Sequence, residues 1–164
     1  MAPPAIALPR YAVDSNVLID LAMGKVFAQR LLAKLRLRRH GIAAPPAVIG
    51  ELFYIASEME HPANVHAIEA LSKIQCWGVE TYALISVGPE IVEINANKLL
   101  AAGLLPESEV HDAVIIIETA LRYIPTLITS DNHLLSINPA KLSSMLDEFD
   151  LPPVTILHPM AMLP

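Results

Sequence analysis

The sequence predicts an α/β fold, a three-layer α/β/α sandwich around a central, mostly parallel sheet. Short apolar runs alternate with longer stretches of helical period, the pattern of strands joined by crossover helices. Prolines and single glycines mark the changes of period, and no repeat, low-complexity tract or Gly/Ser linker divides the chain. Two aspartates, Asp14 and Asp131, each end an apolar run just before a helical one. The 164 residues suit one domain spanning 1–164, long enough to bury a core.

Tyr11–Val13 reads as the first strand, followed by a helix over Asn16–Met23 that breaks at Gly24. Lys25–His40 is a basic amphipathic helix with Val26, Leu31, Leu32 and Leu35 on its apolar side and Gly41 as its stop. Ile42–Ala44 is the second strand. Pro45 or Pro46 opens a helix reaching about Met59, because proline suits a first helical turn. A further helix runs from Pro62 to about Gln75, and Val79–Val87 is the third strand. Pro89–Ala102 is a helix stopped by Gly103, and Ser108 caps the next, which runs to about Tyr123. Thr126–Ser130 is the fourth strand, Asn132–Ile137 a short helix and Pro153–Leu157 the last strand.

Composition narrows the function classes. Hydrophobic residues make up 54% and mean hydropathy is +0.47, so the chain is not of the disordered class. No apolar run approaches the roughly 20 residues of a membrane helix, and the N-terminal MAPPAIALPR lacks the basic-then-apolar order of a signal peptide. One cysteine, Cys76, excludes an internal disulfide and reads as a small core residue, with a cytoplasmic location as the default. The net charge of −6 hides a cluster: six of the eleven Lys and Arg (Lys25, Arg30, Lys34, Arg36, Arg38, Arg39) lie between positions 25 and 39. That stretch is either a grip on a nucleic-acid backbone or the solvated face of its helix.

Asp14 and Asp131 sit at the carboxyl ends of strands, where open α/β sheets bind ligands. The alternative for each is a helix N-cap. Glu51 interrupts Ala47-Val-Ile-Gly-Glu-Leu-Phe-Tyr-Ile-Ala, and Asp112 interrupts Val110-His-Asp-Ala-Val-Ile-Ile-Ile. A charge so placed is costly unless it faces water, a partner or a metal. The polar side of an amphipathic helix accounts poorly for Asp112, which shares its face with Ile115 and Ile116. Asp112 also lies in a first turn, where the helix dipole favours a carboxylate. Glu109, one turn earlier on the same face, reads first as another dipole-favoured residue. His111 is expected to point away from the Asp112 face in a structural role, and the other histidines show no zinc spacing.

Taken in order, Val13-Asp-Ser-Asn-Val-Leu-Ile-Asp, Val48-Ile-Gly-Glu-Leu, His111-Asp-Ala-Val-Ile-Ile and Leu127-Ile-Thr-Ser-Asp-Asn resemble the PIN domain family. Its members are metal-dependent ribonucleases, many of them toxins of bacterial type II toxin–antitoxin pairs. The matched core covers about residues 10 to 138, leaving 139–164 as a C-terminal extension that includes the last strand. The resemblance implies a sheet with the first and fourth strands adjacent. It places the family's acids on Asp14, Glu51, Asp112 and Asp131, with Ser15, Asn16 and Thr129 as supporting or phosphate-contacting groups. It implies Mg2+ or Mn2+ held by Asp14, Asp112 and Asp131, with Glu51 on a second ion or on the attacking water. Hard cations of that kind take oxygen ligands and acidify bound water. The expected partners are RNA, an antitoxin protein and a second copy of the chain, with Arg30, Lys34, Arg36, Arg38 and Arg39 as possible RNA contacts.

Two rival readings differ in class. A non-catalytic PIN-like module would bind nucleic acid or protein without cutting, although all four acids are present. A small metal-dependent phosphatase would also use strand-end aspartates. The first acid is followed by Ser15-Asn16 rather than by a second aspartate two positions on, as aspartyl-phosphate chemistry would require.

Overall fold

A computed structural model describes residues 8–85 and 87–163. Most of the N-terminal segment read against a signal peptide lies outside them, as does Ser86 within the predicted third strand. Five parallel strands form one sheet: β1 (Arg10–Val13), β2 (Gly41–Ala44), β3 (Val79–Thr81), β4 (Thr126–Ile128) and β5 (Thr155–Leu157). Their order is β3-β2-β1-β4-β5, with Arg10 opposite Gly41, Ala12 opposite Leu127 and Thr126 opposite Thr155. The first and fourth strands are therefore neighbours.

Helices flank the sheet as the three-layer α/β/α arrangement requires: α1 (Ser15–Ala22), α2 (Val26–Leu37), α3 (Pro46–Ser57), α4 (Asn64–Lys73), α5 (Pro89–Ala101), α6 (Val110–Leu121), α7 (Asn132–Leu135) and α8 (Pro139–Glu148). The core gathers Leu18, Leu35, Leu52, Leu99, Ile115, Ile116, Leu127 and Ile128, all fully buried. Helix α6 packs against α5, α3 and β4, so Ala113, Ile115, Ile116, Ile117 and Ala120 are buried around most of its girth. Its two carboxylates are Asp112 in the first turn and the buried Glu118, which accepts the Ala47 N–H at 2.8 Å.

Several boundaries differ from the sequence reading. Strand β3 ends at Thr81 instead of Val87, because Tyr82 leaves the ladder and donates its hydroxyl to the Glu118 carbonyl at 3.2 Å. Gly41 is the first residue of β2 and not a helix stop; a Cβ there would meet Arg10 Cγ at 3.1 Å. Helix α2 ends instead through Arg39 in the left-handed region, φ 56°. Helix α6 begins without a cap from Ser108, whose hydroxyl turns to Glu109 Oε1 at 3.1 Å, and Glu109 itself occupies the cap position. Helix α8 was not expected. Asn138 caps it by accepting from the Lys141 N–H at 3.0 Å, Pro139 opens it, and Leu142 and Leu146 bury its inner face. Through β5 the extension adds the sheet's last strand, and a 3-10 turn follows at Pro159–Met162. Cys76, expected in the core, is exposed in the turn after α4. No helix among the described residues is long and apolar enough to cross a membrane.

Candidate active site

From β1 the chain proceeds to β2 and β3 on one side, whereas β4 leads to β5 on the other. The segments leaving β1 and β4 thus diverge and open a crevice over the carboxyl ends of those two strands. Asp14 is the first residue beyond β1, tied to the next strand by its N–H to the Ile128 carbonyl at 3.0 Å. The residue is 3% exposed, and both of its carboxylate oxygens accept hydrogen bonds. Oδ1 takes the Ser15 N–H at 2.7 Å, with the Ser15 hydroxyl at 3.4 Å, while Oδ2 takes Asn16 Nδ2 at 2.8 Å and Thr129 Oγ1 at 2.7 Å. Asp14 caps α1 from its place at the strand end.

The segment after β4 is stitched to the same point. Asn16 Oδ1 accepts the Ser130 N–H at 3.1 Å, and the fully buried Thr129 accepts the Asp131 N–H on Oγ1 at 2.9 Å. Asp131 caps α7, its Oδ1 accepting the His133 and Leu134 N–H groups at 2.7 and 3.2 Å. Helix α3 supplies Glu51, whose Oε2 accepts the Ser15 hydroxyl at 2.6 Å. Ser15 therefore bridges Asp14 and Glu51.

His111, read from the sequence as structural, contacts Glu51. Because α6 packs against α3, the residue before Asp112 faces that helix, and His111 Nε2 lies 3.4 Å from Glu51 Oε2. Asp112 follows it into the crevice with Oδ2 wholly buried and without a hydrogen-bond partner among the described residues. Glu109 and His133 complete this corner: with Asp112 they bring ligand atoms within 4.8 Å of one another. His133 Nδ1 lies 3.4 Å from Glu109 Oε1 and 3.9 Å from Asp131 Oδ1. Local spacing missed His133 because it arrives on α7, far along the chain from Asp112.

Burial pushes the Asp112 carboxyl up to about 7, and the charges of Asp131, Asp14, Glu109 and Glu51 act in the same sense. All of these carboxylates therefore share one electrostatic neighbourhood. Burial also raises Asp14, against the opposing hydrogen bond from Thr129. For Glu51 burial acts upward, yet the hydrogen bonds from His111 and Ser15 prevail and hold it below the ordinary range. His111 is raised in turn, chiefly by its contact with Glu51.

A chain of VapBC2 from Rickettsia felis, in a crystal structure bound to a DNA fragment from their promoter, is similar to this chain with a TM-score of 0.57 at 13% identity. The likeness covers 90% of this chain and 98% of that one. It supports a PIN-like fold. No protein-family profile and no curated protein sequence matches the chain.

The basic stretch lies elsewhere. Arg36, Arg38 and Arg39 lead from α2 into Gly41, opposite Arg10 at the amino edge of the PIN-like sheet, whereas the acids line its carboxyl edge. Lys34 donates to the Met162 carbonyl at 2.6 Å and Arg36 to the carbonyls of Cys76 and Trp77. Lys25 pairs with Asp20 at 2.5 Å. These three cations are engaged in holding the fold, and Arg30, Arg38 and Arg39 are exposed.

Proposed function

We propose that the chain is a metal-dependent endoribonuclease, hydrolysing RNA phosphodiester bonds with Mg2+ or Mn2+ held by Asp14, Asp112 and Asp131. The observation that carries this reading is the buried, unpartnered Oδ2 of Asp112, on a carboxyl that feels the charges of four other acids. A buried acceptor without a donor costs about 1–3 kcal/mol, and a cation would remove that cost and offset the mutual repulsion of the acids. The donor set of oxygens suits such hard ions. When bound, the cation supplies Lewis acidity toward a phosphodiester oxygen and toward water.

The chain's own groups divide the remaining work. Asp14 is fixed by donors from Ser15, Asn16 and Thr129, so it presents its remaining lone-pair capacity in one orientation. Asp131 keeps Oδ2 clear of hydrogen bonds among the described residues, its Oδ1 being committed to capping α7. Glu51, kept ionised by His111 and Ser15, accepts a hydrogen bond from the attacking water and orients it. Arg36, Arg38 and Arg39, at the opposite edge of the sheet, have no part in this proposal.

Incubating the chain with single-stranded RNA and Mn2+ should yield 5′-phosphate and 3′-hydroxyl ends, abolished by a chelator. Asp112→Asn should slow cleavage by about a hundredfold or more, at least the upper range for groups that only support a metal. A wild-type chain that binds Mn2+ yet leaves RNA intact would overturn the nuclease reading in favour of the binding module. The finer reading, a toxin held by an antitoxin, is supported by the Rickettsia felis VapBC2 likeness. Exposed Phe53, Tyr54, Val65 and Ile68 on α3 and α4 offer apolar surface for such a partner or for a second copy. Co-purification of a neighbouring gene product with the chain, inhibiting RNA cleavage, tests it.

A further inference from the structure

The geometry points to a mixed nitrogen and oxygen cation site at Glu109, Asp112 and His133, selective for Mn2+ and other imidazole-accepting cations over Mg2+. It rests on the reading above in giving Asp112 to a metal, and extends it by adding Glu109 and His133 to the ligands and by assigning a preference.

Ligand atoms of the three residues already lie within 4.8 Å of one another without an ion to draw them in. Glu109 and Asp112 stand one turn apart on α6, and His133 approaches from α7, so the cluster bridges two elements. Its position is not casual. The His133 N–H is held by Asp131 Oδ1 at 2.7 Å, which fixes the start of α7 and directs Nδ1 to within 3.4 Å of Glu109 Oε1. The buried Oδ2 of Asp112, which also carries the reading above, belongs to this corner and has no donor among the described residues.

Cation preference follows from the ligand types. An all-carboxylate pocket suits Mg2+, Ca2+ and Mn2+, whereas an imidazole nitrogen shifts preference toward the transition metals. Mg2+ also gives up its waters reluctantly and seldom takes an all-protein cage. The competing account is a plain ion pair, with protonated His133 neutralising Glu109. That account leaves Asp112 Oδ2 unpartnered.

The test is Mn2+ binding to the whole chain, followed by electron paramagnetic resonance and by calorimetry, with Mg2+ as competitor. Wild type should bind Mn2+ about tenfold or more tightly than Mg2+, with nitrogen coupling in the Mn2+ spectrum. His133→Ala, at a half-exposed position, should remove that coupling and lower Mn2+ affinity by about tenfold while Mg2+ affinity changes less than about twofold. Glu109→Gln should weaken Mn2+ binding and keep the nitrogen coupling, which shows that the corner remains folded. Unchanged coupling and an unchanged Mn2+ to Mg2+ ratio in His133→Ala overturn the site. RNA left uncleaved by a wild-type chain that retains the nitrogen coupling would sink the nuclease reading alone.

Discussion

Thr129 donates its hydroxyl to Asp14 Oδ2 at 2.7 Å, joining residues 115 positions apart in sequence. Both are buried at the seam between β1 and β4. Thr129→Val keeps the shape but removes a donor from a buried carboxylate, which costs about 1–3 kcal/mol. The urea midpoint should fall without a change in slope. A midpoint equal to wild type would mean that this hydrogen bond does not hold the seam.

Asp112 sets a pH dependence with a definite sign. Its folded value near 7 exceeds the ordinary 3.8. The folded state therefore keeps a proton that the unfolded chain releases, and stability declines as pH rises through that window. In metal-free buffer Asp112→Asn should match wild type near pH 4 and exceed it by about 1–2 kcal/mol at pH 8, after discounting for solvent screening. Parallel wild-type and variant stability curves across that range would refute the assignment.

The His111–Glu51 contact acts over a different range. With His111 raised above its ordinary 6.5, the stability it contributes is fully present below pH 6.5 and is lost as pH climbs through the raised folded value. His111→Gln should cost no more than about 1 kcal/mol at pH 6, because the pair is partly exposed, and nothing by pH 9. The Glu51 carboxyl should titrate higher in the variant, as carbon-detected NMR would record. A Glu51 titration unmoved by the substitution would show that His111 does not hold it down.

The extension from 139 to 164 should unfold together with the rest. Leu146 is fully buried in α8, and Leu146→Ala should destabilise by about 2–5 kcal/mol in a single transition. Two separate transitions would instead make the extension an independent appendage.

The sheet was legible because its signals are local. Apolar runs at Tyr11–Val13, Ile42–Ala44 and Thr126–Ile128 stand between proline, glycine and polar breaks, and Pro46 and Pro89 open helices where proline belongs. The strand order needed the family resemblance, since nothing in either run tells β1 to pair with β4. Asp14 and Asp131 were singled out as strand ends and Glu51 and Asp112 for their apolar surroundings, and neither signal can reveal polar neighbours brought in from another element. His111 and His133 escaped for this reason: the direction of one depends on how α6 packs against α3, and the other arrives on a four-residue helix. Helix α8 was marked by Asn138-Pro139, a cap followed by a first-turn proline, yet its modest apolar content hid it in a stretch taken as a tail. The length of β3 depended on Tyr82 finding the Glu118 carbonyl, a tertiary contact that overrides β propensity.

The central place of β1 has a consequence for how the molecule breathes. Its amides and the Asp14 N–H are bonded within the interior of the sheet, with β2 on one side and β4 on the other, while β3 and β5 bear the exposed margins. Local opening begins where protection is least, so deuterium should enter at Thr81 and Leu157 long before it reaches Asp14. The floor beneath the acids therefore outlasts the fraying of the margins.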